Sequence, residues 1–300
     1  MAESPVLVIG AGGQLARALA RHRELDSHPI VCRGRPDIDL SDPPALQRFC
    51  AELSPVAVVN AGAYNAVDAA EKDAATAFAV NADGPGELAR LCENRQIPLV
   101  HVSTDYVFDG MSRTPYKESD LVAPLGVYGL SKARGEEAVR ERCTRHVILR
   151  TAWLYGTDAS NFLTTMLHLG AEREELRMVD DQYSAPTWSA DVARAIISIL
   201  LGCSGGQRKA WGTYHLTGGG MATRYSFASE IFRLAAMAGR KVPCLSPISS
   251  TEYGAPARRP AYSVLDNQKI KTTFDIRLPA WQDSLAQCMG QFFTHEDYKE

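Results

Sequence analysis

The chain has few features of secreted, zinc-binding or nucleic-acid-binding proteins. Its seven cysteines are odd in number, scattered along 300 residues and free of any C-x-x-C pair. This pattern argues against a disulfide framework or a thiolate zinc site and predicts a reducing compartment. The net charge of -3 at pH 7 provides no basic surface for nucleic acid or for an anionic membrane.

Long apolar runs are also lacking. The longest, at 192–201, includes Arg194 and is too short to span a bilayer. Residues 1–10 have no basic segment before their apolar run, which argues against a signal peptide. We therefore expect a cytoplasmic protein that binds neither membrane nor nucleic acid. The histidines show no spacing typical of metal ligands, so we assign no metal site.

The first half of the sequence alternates regularly between short apolar strands and longer helical segments. Strands are predicted at 5–10, 29–32, 56–60, 97–103 and 146–151, and helices at 13–25, 43–53, 68–94 and 128–143. Near-continuous apolar strands between helices predict a parallel sheet covered on both faces. Ligands of such sheets bind beyond the carboxyl ends of the strands, here near Gly10, Asn60, Ser103 and Thr151.

A glycine cluster connects the first predicted strand to the first helix. Gly10-Ala-Gly12-Gly13-Gln14-Leu15-Ala16 fits the pattern G-x-x-G-x-x-A, in which glycine allows a tight turn and close approach of a pyrophosphate. The first turn of the helix then offers free N–H groups and a positive dipole potential to that anion. Ordinary strand-to-helix turns also use glycine, but the position after the first strand favours a dinucleotide cofactor.

The end of the second strand bears on which dinucleotide is bound. An acid at this position would bind the ribose 2'-hydroxyl of NADH, but the sequence has Arg33 and Arg35 and no acid. Two arginines suit the 2'-phosphate of NADPH, which favours NADPH over NADH, although solvated surface charges are the alternative. Asp39 is expected near the adenine.

The pattern changes after about residue 155. Helices are predicted at 160–172, 189–201, 225–238 and 280–293, with Gly- and Pro-rich connections between them. The predicted fold class is α/β, with a Rossmann-type doubly wound parallel sheet and a smaller interleaved α/β part. We expect residues 1–155 plus about 189–217 to bind NAD(P), and about 156–188 plus 218–300 to form the substrate-binding part.

A tyrosine and a lysine four residues apart form the candidate catalytic pair. In Tyr128-Gly-Leu-Ser-Lys132 both side chains share one helix face. A nearby ammonium would lower the pKa of the Tyr128 phenol, which suits proton transfer to a ketone oxygen as hydride reaches its carbon. Y-x-x-x-K also occurs by chance, but Ser103-Thr104 supplies a hydroxyl at the end of the fourth strand for the same oxygen.

Longer motifs give the chain a resemblance to a known family. It resembles the extended short-chain dehydrogenase/reductases, and within them the dTDP-4-dehydrorhamnose reductases, over nearly its whole length. Y-x-x-x-K is typical of the superfamily, whereas the last three of the following stretches are more specific to the sugar reductases. The stretches are Val59-Asn-Ala-Gly-Ala-Tyr64, Ala66-Val-Asp-Ala-Ala-Glu71, Ser103-Thr-Asp-Tyr-Val-Phe-Asp-Gly110, Val127-Tyr-Gly-Leu-Ser-Lys132, Arg150-Thr-Ala-Trp-Leu-Tyr-Gly156, Asp181-Gln-Tyr-Ser-Ala-Pro-Thr187 and Pro256-Ala-Arg-Arg-Pro260.

The resemblance implies NAD(P)H-dependent reduction of the C4 ketone of dTDP-4-dehydro-L-rhamnose to dTDP-L-rhamnose, a step in nucleotide-sugar and cell-surface polysaccharide synthesis. It implies catalytic roles for Thr104, Tyr128 and Lys132. Together with the glycine turn and the arginines, it gives the expected cofactor-binding residues Gly10, Gly12, Gly13, Gln14, Leu15, Arg33, Arg35, Asp39, Leu40, Ala61, Ala63, Tyr64, Asn65, Val102, Tyr128 and Lys132. The expected substrate-binding residues are Thr104, Asp105, Tyr106, Tyr128, Trp153 and, as candidates for the diphosphate, Arg258 and Arg259.

The sequence departs from some relatives and leaves alternatives open. The first predicted helix lacks the glutamate that contributes to a magnesium-linked dimer in some members, so a homodimer, if formed, is not expected to use a metal. The substrate could be another dTDP-4-keto-deoxysugar. A non-catalytic regulatory subunit, similar to the beta subunit of methionine adenosyltransferase, is the alternative of another class. Intact Thr104, Tyr128 and Lys132 favour an enzyme.

Overall fold

A computed structural model describes residues 4–204 and 210–297 and confirms the predicted α/β class. Within these residues, seven strands form one sheet in the order β10-β6-β5-β4-β1-β3-β2, and two pairs of short strands lie outside it. The strands are β1 (Val6–Ile9), β2 (Glu24–Leu25), β3 (His28–Arg33), β4 (Ala57–Asn60), β5 (Leu99–Thr104), β6 (His146–Thr151), β7 (Leu154–Tyr155), β8 (Glu175–Val179), β9 (Thr187–Trp188), β10 (Gly212–His215) and β11 (Cys244–Ile248).

The central sheet is parallel except at one edge, where β2 runs antiparallel to β3. Its central strands β1 and β4 are buried on both faces, as their unbroken apolar sequences predict. Val6 and Val8 of β1 point into one core, whereas Leu7 and Ile9 point into the other. Because the strands are parallel, the residues that follow β1, β4, β5 and β6 all lie at one edge of the sheet.

Helices cover both faces of the sheet. They are α1 (Gln14–Ala20), α2 (Pro43–Leu53), α3 (Val67–Ala70), α4 (Ala74–Phe78), α5 (Gly84–Arg95), α6 (Val127–Arg142), α7 (Phe162–Glu172), α8 (Ser189–Ser204), α9 (Arg224–Met237), α10 (Ser250–Tyr253), α11 (Gln268–Phe274) and α12 (Trp281–Asp297). The helices α1 and α8 pack on one face, and α2, α5 and α6 on the other. Over the described ranges, all helices are too short or too polar to cross a lipid bilayer.

Two helix predictions were wrong in extent. The helix predicted at 13–25 ends at Ala20, because the chain turns back to form β2 beside β3. The helix predicted at 68–94 is interrupted after Ala70 and restarts with Asp73, whose carboxylate accepts a hydrogen bond from the backbone N–H of Thr76 at 3.3 Å. It then widens into a π-helical turn over Ala79–Asp83. An aspartate that caps a new helix competes with continuation of the old one.

A further core lies outside the sheet, apart from the two cores on its faces. It is built by apolar residues of α7, α9 and α12, among them Leu163, Phe227 and Leu285. Ile270 and Ile276, which the sequence placed in the substrate-binding part, pack instead into the core between the sheet and helices α1 and α8. The proposed division of the chain into two parts stays a prediction.

The π-helical turn and α6 come so close that glycine is required between them. A Cβ atom at Gly135 of α6 would lie 2.0 Å from the backbone oxygen of Asn81. A methyl group would therefore push α6 away from the turn. We expect Gly135→Ala to lower the free energy of unfolding by about 1–3 kcal/mol, as overpacking of a core does, measured by urea denaturation.

The matched control is Gly290→Ala in α12, where a Cβ would meet nothing within 4 Å. Because alanine favours a helix interior, this variant should gain about 0.5–1 kcal/mol. Equal effects of the two substitutions would contradict the close contact at Gly135.

Candidate functional site

The glycine turn after β1 brings the ends of three strands together. Gly10 has a φ of +106°, and a Cβ atom there would lie 2.8 Å from the backbone nitrogen of Gly62 after β4. The Gly10 N–H donates to the Arg33 oxygen of β3, and the Gly13 N–H donates to the Gly10 oxygen, both at 2.8 Å. Only glycine fits this backbone conformation and this close approach. The turn therefore fixes the floor of a cleft.

The cleft has a volume of about 520 Å³ and contains most of the predicted cofactor residues. The predicted residues that line it are Gly10, Gly12, Gly13, Arg35, Asp39, Leu40, Ala61, Ala63, Tyr64 and Asn65. Its other lining residues, which the sequence analysis missed, are Ile9, Ala11, Gly34, Ile38, Gly62, Thr76 and Val80. The missed glycines had a sequence signal, because Gly34 directly follows β3 and Gly62 lies two residues after the end of β4.

The lining of the cleft fits a dinucleotide. A Cβ at Gly12 would meet nothing within 4 Å, so the glycine leaves the backbone open on the cleft side. The first-turn N–H groups of α1 have no carbonyl partner within their own helix and are free to bind a phosphate. Hydrogen bonds from the Ser41 hydroxyl and N–H lower the pKa of Asp39, which keeps this lining residue anionic.

Six predicted cofactor residues do not line the cleft: Gln14, Leu15, Arg33, Val102, Tyr128 and Lys132. The Leu15 side chain is buried in the core, and the amide of Gln14 donates to the Leu154 oxygen at 2.9 Å. Arg33 donates to the Cys32 oxygen at 3.0 Å and lies 3.9 Å from the Asp37 carboxylate. The carbonyl of Val102 accepts a hydrogen bond from Lys132. Their roles in binding a cofactor stay predictions.

Tyr128 and Thr104 meet at the carboxyl edge of the sheet. Tyr128 lies in the first turn of α6, and Thr104 is the last residue of β5. Burial raises the pKa of the Tyr128 phenol above its ordinary value, and the nearby Thr104 hydroxyl opposes this effect only in part. The phenol is therefore protonated at neutral pH and is available as an acid.

Lys132 is buried one helical turn after Tyr128. Its ammonium donates to the backbone oxygen of Val102 at 2.7 Å. Burial lowers the pKa of Lys132 to about 8, although the nearby Glu136 carboxylate raises it. The expected lowering of the Tyr128 pKa is not seen, because burial of the phenol outweighs other influences and Lys132 is not among them.

Asn81 links the cleft to the helix that bears Tyr128 and Lys132. Its side-chain oxygen accepts from the Tyr64 N–H at 2.8 Å, and its amide donates to the Tyr64 oxygen and to the Ser131 hydroxyl, each at 3.0 Å. Tyr64 lines the cleft, and Ser131 precedes Lys132 on α6. The three hydrogen bonds of this buried amide fix the position of α6 relative to the wall of the cleft.

Glu71 fixes the start of the same helix. Its carboxylate accepts from the backbone N–H of Val127 at 2.8 Å, which satisfies a free donor in the first turn of α6. A negative charge at this position also interacts favourably with the helix dipole. Glu71 and Asn81 were both missed as site residues. Glu71 lay within a quoted motif, whereas the role of Asn81 depends on contacts that sequence spacing does not reveal.

Asp105 joins three segments at the site. One carboxylate oxygen accepts from the hydroxyls of Ser184 and Ser263 at 2.9 and 2.5 Å, and the other accepts from the Thr104 hydroxyl at 3.1 Å. The residue is 1% exposed, and burial raises the pKa of its carboxyl group. All its described bonds are internal, so its predicted contact with substrate stays a prediction.

The other predicted substrate residues surround Tyr106. The rings of Tyr106 and Tyr128 pack edge to face, with 5.7 Å between centroids. Both rings and Arg258 line one small cavity. Arg259 is paired with Asp68, at 2.7 Å. The roles of these residues in binding the substrate stay predictions.

Trp153 follows β6 with a φ of +42°, a strained conformation for a tryptophan. Its ring lies 3.8 Å from the guanidinium of Arg224, which the sequence analysis missed. An isolated arginine at a helix start carries no motif, so sequence offered no signal for it. Among the described residues, no cluster of His, Cys, Asp or Glu could hold a metal ion.

Comparison with known proteins places these features in a family context. The model of a family described as the RmlD substrate binding domain matches residues 4–293. A dTDP-4-dehydrorhamnose reductase of Burkholderia thailandensis is 39% identical over 297 residues, covering 96% of this chain and 99% of the relative. A protein of Streptomyces antibioticus, named a probable dTDP-4,6-dihydroxy-2-methyloxan-3-one 4-ketoreductase, is 38% identical over 292 residues, which cover 97% and 96% of the two chains.

A solved structure is similar over the same extent. It is the crystal structure of a dTDP-4-dehydrorhamnose reductase from Bacillus anthracis in complex with NADP. Its TM-score to this chain is 0.89 at 33% sequence identity, and the match covers 96% of this chain and 99% of that one. The cleft and the Tyr128 helix lie within the matched region.

The low pKa of Lys132 predicts a specific pH dependence of stability. In the folded chain Lys132 loses its proton near pH 8, whereas in the unfolded chain it does so near 10.5. Between these values the unfolded state binds more protons, so the free energy of unfolding should rise with pH by on the order of 1 kcal/mol per pH unit. Lys132→Met removes this contribution.

The measurement is urea denaturation of both proteins from pH 7 to 10. The stability of the wild type relative to Lys132→Met should increase across this range. If the free energies of unfolding of the two proteins change with pH in parallel, burial does not lower the pKa of Lys132.

Proposed function

Because the chain belongs to the RmlD substrate-binding-domain family, we propose that it reduces the C4 ketone of dTDP-4-dehydro-L-rhamnose to dTDP-L-rhamnose with NADPH. The resemblance predicted from the sequence motifs is thereby confirmed. The observation that carries the proposal is the nearness of the Tyr128 and Thr104 hydroxyls at the edge of the sheet where the cleft opens.

The proposed chemistry uses two hydroxyl groups at one oxygen. The bound NADPH supplies the hydride that adds to C4. As the carbonyl electrons move onto O4, the Tyr128 phenol transfers its proton there, and Thr104 hydrogen-bonds the same oxygen. The raised pKa of Tyr128 supports this direction of transfer, because a phenol that holds its proton at neutral pH is ready to give it to a developing alkoxide.

Lys132 has a positioning role in this proposal. Its hydrogen bond to Val102 anchors α6 against β5, so that Tyr128 and Thr104 stay in contact. With a pKa of about 8, the amine is mostly charged at neutral pH. The charge strengthens the hydrogen bond to Val102, whereas Lys132 is not among the influences on the pKa of the Tyr128 phenol.

The cofactor preference is assigned to Arg35 more than to Arg33. Arg35 is exposed and lines the cleft, whereas Arg33 is directed to Cys32 and Asp37. A guanidinium in the cleft suits the 2'-phosphate of NADPH. The NADP complex of the similar Bacillus anthracis reductase supports the same cofactor.

Reduction of another dTDP-4-keto-deoxysugar is the second candidate function. The similarity to the Streptomyces antibioticus ketoreductase favours it, because identity and coverage nearly equal those of the rhamnose-pathway relative. Turnover of a panel of dTDP-ketosugars distinguishes the two. The regulatory-subunit alternative requires that none of these ketosugars is reduced.

We expect Tyr128→Phe to lower kcat with dTDP-4-dehydro-L-rhamnose by about 10²–10⁴-fold, because the ring stays and only the proton donor is lost. The Kd for NADPH should change little, because the phenol is not part of the cleft lining. Turnover is measured by NADPH oxidation and cofactor binding by fluorescence titration.

The matched control is Tyr214→Phe, which removes a hydroxyl that donates to the Ala210 oxygen. Tyr214 belongs to the core between the sheet and helices α1 and α8, away from the site. This control should retain near-normal turnover. Near-normal turnover of Tyr128→Phe itself would rule out the assigned acid.

Arg35→Gln should raise the KM for NADPH by about tenfold or more and leave the KM for NADH within about twofold, since one charge-assisted contact with the 2'-phosphate is lost. Arg33→Gln is the comparison variant and should have the smaller effect. If the two variants weaken NADPH equally, or if NADH is weakened as much as NADPH, the assignment of Arg35 to the phosphate is wrong.

A further inference from the structure

Arg224 is a partly buried cation that forms no salt bridge with a described carboxylate. It is the first residue of α9, and its guanidinium lies over two aromatic rings, 3.8 Å from the centroid of Trp153 and 5.0 Å from that of Phe162. Within residues 4–204 and 210–297, no acid forms a salt bridge with it. Burial lowers the pKa of Arg224, and only the influence of Tyr106 and Asp105 opposes this.

This arrangement is unfavourable for the chain alone. A charge that is partly removed from water without a paired opposite charge is unfavourable, and contact with an aromatic ring offsets only part of this cost. The N-terminal end of α9 adds a dipole of the same sign as the guanidinium. Trp153 is itself held in a strained conformation that places its ring below Arg224. An anion beside Arg224 would relieve the two electrostatic costs.

The guanidinium lies beside the proposed site of reduction. Arg224 and the Tyr106 phenol interact electrostatically, and the Tyr106 ring packs on that of Tyr128. The positive charge is therefore one aromatic ring away from the proposed proton donor. A group that reached Arg224 could belong to a molecule whose ketone is at Tyr128.

The neighbouring arginines are less suited to an incoming anion. Arg259 already binds the Asp68 carboxylate at 2.7 Å, and that carboxylate also accepts from the Ala257 N–H at 3.0 Å. Arg258 is exposed at the mouth of the small cavity and is screened by water. Arg224 is less exposed than Arg258 and, unlike Arg259, forms no salt bridge with a described acid, so its charge-assisted hydrogen bonds to an anion would be strong.

We propose that Arg224 binds the diphosphate of the nucleotide-sugar substrate, a role that the sequence analysis gave to Arg258 and Arg259. The inference rests on the proposed function and names the residue that recognises the charged part of its substrate. Stacking on Trp153 occupies the flat face of the guanidinium and leaves its in-plane N–H donors for phosphate oxygens.

The test is calorimetric binding of dTDP and of thymidine to the full chain saturated with NADPH, so that the cofactor cleft is filled. Arg224→Gln should raise the Kd for dTDP about ten- to a hundredfold and leave the weaker binding of thymidine nearly unchanged, because thymidine has no phosphate. Arg224→Lys, which keeps the charge but not the planar fork, should give an intermediate value. Arg233→Gln, an exposed arginine on the same helix, is the matched control and should bind dTDP normally.

The Kd for NADPH reports whether each variant is folded, and Arg224→Lys serves as the test if Arg224→Gln is not. Unchanged dTDP binding in the folded Arg224 variants, or an equal loss for thymidine, overturns the inference. Ketosugar turnover by the wild type distinguishes this failure from that of the proposed function. If the wild type reduces the ketosugar but the Arg224 variants bind dTDP normally, only the inference is refuted. If the Arg224 variants bind dTDP weakly but the wild type does not reduce the ketosugar, only the proposed reaction is refuted.

Discussion

The buried carboxylate of Glu136 holds the site together. It receives two hydrogen bonds from Arg150 of β6, at 2.8 and 2.7 Å, and one from the Ser103 hydroxyl of β5 at 2.6 Å. Glu136 is fully buried, and loss of a partner from such a pair leaves an uncompensated charge that costs about 3–5 kcal/mol. Since Thr104 follows Ser103 and Tyr128 lies two turns before Glu136 on α6, this ion pair sets the contact between the two hydroxyls.

The same carboxylate governs the charge at Lys132. Burial alone would discharge the amine, and the negative charge of Glu136 one turn away works against this. Arg150 keeps the pKa of Glu136 low despite its burial, so the carboxylate remains ionised. Arg150 in turn lies 5.1 Å from the centroid of the Phe108 ring. The protonation of Lys132 is therefore set by residues that do not contact the cleft. The same residues that hold α6 against the sheet also determine the charge at the site.

The sequence predicts features that depend on residues close together in the chain, and it misses features that depend on residues far apart in the chain. Strand β6 and helix α2 were predicted with the bounds that the structure has, because apolar runs and the Asp42 cap act locally. Gly10 was predictable because its role depends on its own backbone conformation. The partners of Asn81 and Arg224 come from segments far apart in the chain, and the break before Asp73 occurs within an alanine-rich stretch that favours helix. No local pattern marks these features.

The two halves of the site are therefore specified in different ways. The cofactor side is made largely of backbone and small residues around Gly10. Such a site suits the part of the molecule that dinucleotides have in common. The substrate side is made of long side chains from separate segments, held to the sheet edge by Asp105 through Ser184 and Ser263. Because Asp105 directly follows Thr104, the loops that recognise the substrate are anchored beside the reacting hydroxyls. Such an arrangement allows the recognised sugar to change through these loops while the geometry of proton transfer is kept.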